Sequence, residues 1–528
     1  MNPGRRSKPL HVSLFGLPVA SAREPVKQPN DPDNGHKCKF TKSRSSRLLQ
    51  QEFPTLRKGY WGQPENENRM PNCSMLPGKW RLSMFRISTR LAVVFLAVLL
   101  LAGGMASEEP AAQTPPAAAV TALTGARVID GTGRPAMEQA TVLIRNGRID
   151  AVGAASAVPV PAGATRIDMA GKTIMPGMVN AHGHAQKGLD AKVPIREDLI
   201  RQLRMYAAYG VTTVVSLGAN PDDELDQIKL RDEQNSIVLD RARVYTSGGS
   251  VRRFKTPEEA RKDTNRVADL KPDIIKFHFD DPPGNMSAET WGVIVEEAHK
   301  RGLRVAPHIF YLRDAKAAVE KGVDALAHSV RDLDVDAALI AEMKRREVGV
   351  IPTLTREVTV YVYETTPAFF SDPFFLRGVS LYREHMDIVS APAFQDRVRN
   401  DKVAQSIKQA FVQAKRNLKI MADAGIPIGL GTDSGVPNNM TFGRFQGFLE
   451  HMELELMVEA GLTPMQALTA ATSGSARIIR LDQVGTIAPG KAADLLVLDG
   501  NPLQNIRNTR QINSVWIAGR RLAAMGTN

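Results

Sequence analysis

Two histidines, His182 and His184, are separated by a single glycine in the stretch "TIMPGMVNAHGHAQ", residues 173–186 of a 528-residue chain. In a β-strand, side chains at positions i and i+2 point to the same face, so the two imidazoles would lie close together. Two imidazoles on one rigid element suit the binding of a single metal ion. The alternative is a turn that contains two unrelated histidines, and the spacing alone does not decide between them.

Four more ionisable residues occur in otherwise apolar runs further along the chain. They are Lys276 in "DIIKFHF", His308 in "VAPH", His328 in "ALAHS" and Asp433 in "GTDSG". Such side chains are costly in an apolar strand unless they are paired or bound to a metal. If the strands end at one place, a shared metal site explains the six residues better than six separately satisfied core groups do.

The apolar runs alternate with stretches of helical periodicity such as 288–302 and 312–322, and the second of these ends in a glycine suited to a helix C-cap. Eight apolar runs occur, at 175–184, 211–218, 242–249, 273–279, 303–310, 323–330, 348–355 and 426–435. Eight strands alternating with helices over roughly 300 residues predict an α/β fold with a (β/α)8 TIM-like barrel at 176–483. An open, doubly wound sheet is the alternative. In the barrel, the six polar residues would meet at the C-terminal ends of the strands.

Short β-branched runs broken by Gly, Asn-Gly and Asp-Gly occupy residues 120–175 and return at 484–528. These dipeptides are hairpin signals. Neither segment has enough strands for a stable sheet alone, so we expect one small composite β-sandwich domain built from both. The long stretch 356–425 carries amphipathic helical runs, and we expect it to form a helical cap over one side of the barrel mouth.

The N-terminal part of the chain differs from the rest in charge. Residues 1–106 contain 17 Lys and Arg against 6 Asp and Glu, which accounts for nearly all of the net charge of +12. The remainder is close to neutral, which argues against a nucleic-acid partner. Both cysteines, Cys38 and Cys73, also lie in this part, so the rest of the chain has neither a disulfide nor a thiolate site.

A secretory signal peptide is predicted at 84–106, where two arginines precede the apolar run "LAVVFLAVLLLA" and small residues follow it. The run is shorter than a membrane-spanning helix requires. Residues 1–83 are interpreted as a disordered leader upstream of the true start, or alternatively as a cytoplasmic tail on an uncleaved anchor. Residues 107–119 are interpreted as a flexible Ala/Pro linker. We therefore expect an exported protein, periplasmic or secreted, which meets the membrane only through this segment.

From about residue 120 to its end, the chain resembles the amidohydrolase superfamily of metal-dependent hydrolases, in particular its imidazolonepropionase-like and prolidase-like branch. The resemblance rests on "TGARVIDGTG", "PGMVNAHGH", "DIIKF", "VAPH", "GVDALAHS", "GTDSG" and "GTIAPGKAADLLVLDGNPL". It implies two divalent metal ions. It also implies the ligands: His182, His184 and Asp433 for one ion, His308 and His328 for the other, and a carbamylated Lys276 that bridges both.

The chemistry of these residue types agrees with that implication. Burial lowers the pKa of a lysine and favours the neutral amine that reacts with CO2, and the resulting carbamate offers two anionic oxygens. Neutral imidazoles and a carboxylate suit Zn2+. Two cations that share a water lower its pKa and give a bridging hydroxide as the nucleophile. Asp433 could orient this nucleophile, take its proton and pass the proton to a leaving nitrogen.

The sequence also departs from the family it resembles. Asn180 stands where the family usually has aspartate, two residues before the first histidine of the pair. Imidazolonepropionase itself works with one metal and lacks the lysine, so Lys276 argues against that reaction. The run "HFDDPPGN" replaces the small, Gly-rich turn that peptidase-like relatives have at this place.

Four further residues are candidates for binding the substrate. His278 shares the strand face of Lys276, and Tyr311 could donate a hydrogen bond to a substrate carbonyl. Arg331 and Arg356 could bind a substrate carboxylate in bidentate fashion. For each of the four, an ordinary structural role is the alternative.

We therefore expect a binuclear zinc hydrolase that cleaves the C–N bond of an amide, a dipeptide or a cyclic amide. One alternative keeps the metal centre but changes the substrate to a lactone or phosphotriester. Another is a metal-free barrel that serves binding or assembly, and the intact set of six residues counts against it. A homo-oligomer is compatible with the resemblance.

Overall fold

The computed structural model of the chain describes residues 119–523, except 189, 253, 280–286 and 436–442. The predicted leader and signal peptide, and all but the last residue of the predicted linker, lie outside the described residues. Among the helices that are described, none is both long enough and apolar enough to cross a membrane.

The described residues contain fifteen strands. They are β1 (Val120–Val128), β2 (Met137–Arg145), β3 (Arg148–Ala154), β4 (Thr165–Asp168), β5 (Thr173–Pro176), β6 (Met178–Gly183), β7 (Val211–Ser216), β8 (Arg243–Thr246), β9 (Ile274–His278), β10 (Arg304–His308), β11 (Ala325–Ala327), β12 (Gly349–Ile351), β13 (Leu495–Leu498), β14 (Ile512–Ile517) and β15 (Arg520–Arg521).

One sheet contains eight of these strands, in the order β15-β14-β13-β5-β1-β2-β3, with β4 paired to β1. The turn between β2 and β3 is the predicted Asn-Gly hairpin: Asn146 and Gly147 both have positive φ, at 51° and 75°, as a type I′ turn requires. Strand β5 pairs antiparallel with β13, from Pro176 opposite Leu495 to Thr173 opposite Leu498. Strands from both ends of the described chain therefore share this sheet.

The remaining strands form two parallel sheets, β6-β7-β8 and β12-β11-β10-β9. Every residue of β6 and β7 is buried, which is typical of parallel strands covered on both faces by other elements. An isolated parallel bridge between Val251 and Phe277 connects the two sheets on one side. The result is a TIM-barrel-like α/β arrangement in which parallel strands alternate with helices.

The eighth predicted barrel strand, 426–435, is not a regular strand. Only Ile428 pairs in it, through an isolated parallel bridge to β12. A Cβ atom at Gly431 would lie 2.7 Å from that of His182, so glycine is needed for this close approach to β6. Asp433 has a left-handed φ of 54°, which turns the chain out of the extended conformation. The segment still lies beside β6, because the Asp433 amide donates to the His182 carbonyl at 2.7 Å.

Fourteen α-helices occur in the described residues. They are α1 (Ile195–Ala208), α2 (Glu224–Glu233), α3 (Pro257–Asp269), α4 (Ala288–Lys300), α5 (Leu312–Lys321), α6 (Ala337–Arg346), α7 (Leu354–Tyr361), α8 (Pro373–Leu376), α9 (Val379–Ser390), α10 (Pro392–Asn400), α11 (Lys402–Asp423), α12 (Phe448–Glu459), α13 (Pro464–Thr469) and α14 (Ser475–Ile479). Helices α4 and α5 match the two helical stretches expected from the sequence, and Gly322 ends α5 with a φ of 94°.

The stretch 356–425 is helical, as predicted, and contains most of α7 and all of α8 to α11. Its aromatic residues pack inward: Phe370 and Phe375 stack on one another, and Phe375 meets Phe445 edge to face. Arg356 is the one residue of this stretch that reaches the cavity described below. The aromatic cluster thus anchors the helices to the body of the protein.

Candidate metal centre

A cavity of about 250 Å3 lies at the C-terminal ends of the parallel strands. All six residues predicted to bind metal line it: His182, His184, Lys276, His308, His328 and Asp433. Its other polar lining residues are Gln186, Asn220, Ser250, Arg252, His278, Arg356 and Arg444. Residues as far apart in the sequence as His182 and Arg444, 262 positions, therefore meet in one small space.

His182, His184 and Asp433 form a compact group whose ligand atoms all lie within 4.8 Å of one another. Oδ1 of Asp433 lies 2.6 Å from Nε2 of His184 and 3.4 Å from Nε2 of His182. Nδ1 of His184 lies 3.0 Å from the Gly218 carbonyl, which can only accept, and the tautomer with its proton on Nδ1 satisfies this contact. That tautomer leaves Nε2 directed at the group, as a metal-binding imidazole requires.

The next two histidines continue from this group across the cavity. The rings of His182 and His328 are 4.5 Å apart between centroids, and those of His328 and His308 are 4.2 Å apart. His278 stacks on His308 with a centroid distance of 4.8 Å and an angle of 18° between the rings. Nδ1 of His328 lies 2.7 Å from the Thr353 hydroxyl, which fixes the orientation of that ring.

Lys276 extends into the cavity from strand β9 and is 1% exposed. Its Nζ atom has no hydrogen-bond partner among the described residues. Burial lowers the pKa of this amine to about 7, and the nearby Arg356 adds to the effect while Asp433 opposes it. A substantial fraction of Lys276 is therefore the neutral amine at neutral pH, which is the form that reacts with CO2.

The histidines around Lys276 are also held uncharged. Burial, reinforced by Lys276, lowers the pKa of His182 to about 3. Burial also holds the pKa values of His308 and His328 well below their usual range. Burial alone would raise the pKa of Asp433, but Arg444 and the two neighbouring histidines hold it well below its ordinary value. Neutral imidazoles and an ionised carboxylate are the forms that bind divalent metals.

Three residues of the site have a left-handed backbone: His328 with a φ of 73°, Thr353 with 51° and Asp433 with 54°. Such conformations cost about 1–3 kcal/mol each for residues other than glycine, and the β-branched Thr353 is an outlier even among these. All three follow or replace the ends of parallel strands. The strain therefore coincides with the places where the chain must turn a side chain into the cavity.

Two arginines lie beside Asp433. Nη1 of Arg444 donates to Oδ2 of Asp433, and Nε of Arg356 is 3.9 Å from the same oxygen. Nη1 of Arg356 also donates to both carboxylate oxygens of Glu357 at 3.1 Å. Arg356 thus lines the cavity, as predicted, with Glu357 holding its guanidinium in place.

Two of the predicted substrate-binding residues do not line the cavity. Arg331 is 2% exposed and donates to the Ile309 and Ser329 carbonyls, and its Nε lies 3.2 Å from the Glu357 carboxylate, so its charge is paired inside the protein. Tyr311 lies at the start of helix α5, where its ring contacts Phe310. Of the four candidates, His278 and Arg356 are the ones the fold brings to the site.

The residues present suit a metal. The buried Nδ1 of His182 and Nζ of Lys276 lack partners in the part of the chain that the structure describes. Both residues line the cavity, where a bound ion or an ion-bound group would lie beside these atoms. Together with the His–His–Asp group, they form a donor set that divalent ions bind.

Comparison with known proteins agrees with this geometry. The model of the amidohydrolase family matches residues 173–522. The chain belongs to the amidohydrolase family. It is an enzyme, a hydrolase that acts on carbon–nitrogen bonds.

Among proteins similar to this amidohydrolase is the imidazolonepropionase of Streptomyces griseus subsp. griseus, with 24% identity over 407 residues, covering 74% of this chain and 95% of the relative. The 5-methylthioadenosine/S-adenosylhomocysteine deaminase of Halalkalibacterium halodurans is 25% identical over 63% of this chain and 74% of its own. A solved Xaa-Pro dipeptidase with bound methionine has a TM-score of 0.59 and 20% identity, covering 76% of this chain and 99% of its own, a likeness of fold.

Several site residues of this amidohydrolase are not apparent from the sequence. Arg252 and Arg444 line the cavity, and Thr353 orients His328. Glu450 lies behind the site, bonded to Asn180. Each lies outside the apolar strand runs or looks like an ordinary polar residue, and their partners are distant in sequence. Asn180 was the only indication in the sequence: it stands where the family usually has aspartate, which suggests different hydrogen-bond partners next to His182 and His184.

Proposed function

We propose that this amidohydrolase binds two divalent metal ions, with Zn2+ the favoured ion, and hydrolyses the C–N bond of an amide, a dipeptide or a cyclic amide. His182, His184 and Asp433 would hold one ion, and His308 and His328 the other. Lys276, as its carbamate, would bridge them. The observation that carries the proposal is the convergence of all six side chains on one cavity, with a buried lysine that has no partner among the described residues.

We also infer that the parallel strands close into a (β/α)8 barrel. The Val251–Phe277 bridge supports closure on one side, and the bridge between Val350 and Ile428 supports it on the other. The amide of Ala181 in β6 donates to the Leu430 carbonyl at 2.8 Å. A closed barrel explains why strands far apart in the sequence present their C-terminal ends to one cavity.

Bound divalent ions would lower the pKa of a water molecule and polarise the scissile carbonyl. The residues of the chain supply the proton transfer. Asp433 is placed to take a proton from the attacking water and to deliver it to the leaving nitrogen. Arg444 binds its Oδ2 atom, so the carboxylate has one fixed orientation, with Oδ1 facing the two histidines.

Arg356 supports a substrate that carries a carboxylate close to the scissile bond. Its guanidinium lines the same cavity as the six residues and is braced by Glu357. A planar guanidinium held in this way is suited to bidentate binding of a carboxylate. His278, stacked on His308 at the cavity wall, is the second residue that we propose contacts the substrate.

The metal content of the purified full chain tests the proposal. We expect about two ions per chain in the wild type, and clearly fewer in Lys276→Ala, because the bridging ligand is lost. One ion per chain that is unaffected by the substitution would contradict the binuclear centre and make Lys276 a structural residue. Zinc absent after growth in zinc-replete medium would favour the metal-free binding protein instead.

Substrate class is tested with matched pairs, each an N-acyl amino acid or dipeptide and its carboxamide. We expect hydrolysis of the free acid, with a higher KM for the carboxamide, and loss of this preference in Arg356→Met. Asp433→Asn, which keeps the size of the side chain but cannot accept a proton, serves as the inactive control. Turnover of lactones or phosphotriesters without turnover of any amide would overturn the proposed C–N specificity.

We further propose that residues 84–106 direct export. The sequence pattern supports this: basic residues, then a short apolar run, then small residues. N-terminal sequencing of the protein from the extracytoplasmic fraction should find a start close to residue 107. Recovery of the whole chain in the cytoplasm would contradict it.

A further inference from the structure

Behind the candidate metal centre, a completely buried carboxylate connects two segments of the chain. One segment carries His182 and His184, and the other carries Asp433. Glu450, on helix α12, is 0% exposed, as is Asn180 on strand β6. Neither residue lines the cavity. A buried carboxylate at this position therefore acts through other residues and not by touching a substrate.

A single oxygen of Glu450 collects three hydrogen bonds. Oε1 accepts from Nδ2 of Asn180 at 2.6 Å, from the Thr432 hydroxyl at 2.8 Å and from the Ser434 hydroxyl at 2.7 Å. Asn180 lies on the strand that carries the paired histidines, and the other two donors flank Asp433 on either side. One carboxylate oxygen is therefore hydrogen-bonded to both of the segments that carry the proposed metal ligands.

These bonds continue directly to the ligands. Oδ1 of Asn180 accepts from the backbone amide of His182 at 2.9 Å. The carbonyl of Ser434 accepts from the amide of His184 at 2.8 Å. Asp433, between the two hydroxyl residues, has a left-handed backbone that persists only where the surroundings fix it.

The chemistry of the pair is specific. Asn180 uses its amide nitrogen to donate to Glu450 and its amide oxygen to accept from the backbone, so both ends of the side chain are engaged. Aspartate at 180 would place two carboxylates 2.6 Å apart in a buried space, where like charges repel strongly. The asparagine is therefore tied to the carboxylate that the helix supplies.

We propose that Asn180 and Glu450 are positioning residues that set the geometry of the His182, His184 and Asp433 ligand group. The inference rests on the metal centre proposed above. The pairing of one amide with one carboxylate predicts that Asn180→Asp alone is harmful. Adding Glu450→Gln again sets one amide against one carboxylate and should rescue the variant in part, because a glutamine nitrogen facing residue 180 cannot also accept from the Thr432 and Ser434 hydroxyls.

Cobalt binding to the full chain tests this, because the visible absorption of bound Co2+ reports the arrangement of its ligands. We expect Asn180→Asp to weaken Co2+ binding about 10–100-fold and to change the spectrum. The double variant Asn180→Asp/Glu450→Gln should recover part of both. Glu455→Gln is the matched control: Glu455 lies on the same helix and is buried, but it pairs with Arg507 and Arg510 away from the site. It should leave affinity and spectrum unchanged.

The outcomes separate this inference from the proposed function. A wild-type chain that binds no Co2+ would overturn the metal centre and the inference together. Co2+ binding by the wild type with the same affinity and spectrum in Asn180→Asp would overturn the inference alone. Failure of the double variant to recover any of the lost affinity, while Asn180→Asp remains folded by circular dichroism, would also overturn the proposed pairing of one amide with one carboxylate.

Discussion

Replacing Lys276 by methionine should change stability in opposite directions in the chelated and the metal-loaded enzyme. Methionine is close to lysine in length and has no charge to bury. A lysine pKa lowered from 10.5 to about 7 corresponds to a penalty on the folded state of about 4–5 kcal/mol near pH 7, at about 1.36 kcal/mol per pKa unit. Removing the amine removes that penalty, so the chelated Lys276→Met protein should be the more stable one.

The pH dependence of this effect has a definite sign. The unfolded lysine keeps its proton up to about pH 10.5, whereas the folded one loses it near pH 7. Between these values the unfolded state binds more protons, so the stability of the chelated wild type rises with pH. Below about pH 7 the penalty is constant. In Lys276→Met this rise should be absent.

Differential scanning calorimetry of chelated protein measures the difference. Taking the roughly 400 described residues and about 2.1 cal/mol/K per residue, 4–5 kcal/mol corresponds to a rise in Tm of about 5 °C. In the metal-loaded protein the order should reverse, because the wild type keeps a ligand that the variant lacks. Lys316→Met, at an exposed lysine paired with Asp336, is the control and should change Tm little in either state. A chelated Lys276→Met protein less stable than the wild type would refute the reasoning.

Thr353→Val removes the hydroxyl 2.7 Å from His328 Nδ1, and we expect about 10–100-fold weaker metal binding in a chelator competition titration. Glu357→Gln leaves the buried guanidinium of Arg331 without its carboxylate, and should lower the free energy of urea unfolding by about 3–5 kcal/mol. His385 is buried and its pKa is lowered from 6.5 to about 3. The stability it contributes is complete above about pH 6.5 and is lost as pH falls toward 3, so His385→Leu should reduce the slope of unfolding free energy against pH by about 1.4 kcal/mol per pH unit near pH 5.

Each of these changes has a matched control. Thr353→Ser keeps the hydroxyl and should retain metal affinity; equal loss in both variants would mean that the hydrogen bond is not the cause. Glu342→Gln removes a carboxylate from an exposed pair with Arg345 and should cost less than about 1 kcal/mol. Val389→Ala, at a buried residue one turn further along the helix of His385, should lower stability without changing the pH slope.

The sequence predicts those site residues whose polarity or spacing stands out from that of their neighbours in the chain. Lys276 and His308 are conspicuous because apolar residues flank them, and His182 with His184 because strand periodicity puts both on one face. Arg331 looked like a cavity residue because it follows a strand end, but a local pattern cannot show that its partner is Glu357.

The fold likewise has parts that the sequence predicts and parts that it does not. Seven of the eight strands predicted for the barrel are found where apolar runs occur, since burial on both faces requires continuous apolar sequence. The eighth, 426–435, has the same composition but must approach β6 closely at Gly431 and turn at Asp433, and both constraints come from tertiary packing. The contact between Asn180 and Glu450 joins residues 270 positions apart, a distance at which no periodicity gives a signal.

Several unfavourable features of the described structure lie together around the candidate metal centre. His328, Thr353 and Asp433 have strained backbones, and Lys276 and His182 keep buried polar atoms without partners among the described residues. Each of these lowers the stability of the fold, and none is needed to build a barrel. A fold under selection for stability alone would lose them to glycine or apolar residues. Their joint presence around one cavity is expected if metal binding offsets their cost. The metal-loaded enzyme should therefore be more stable to unfolding than the chelated enzyme, because the metal stabilises the part of the fold that these features weaken.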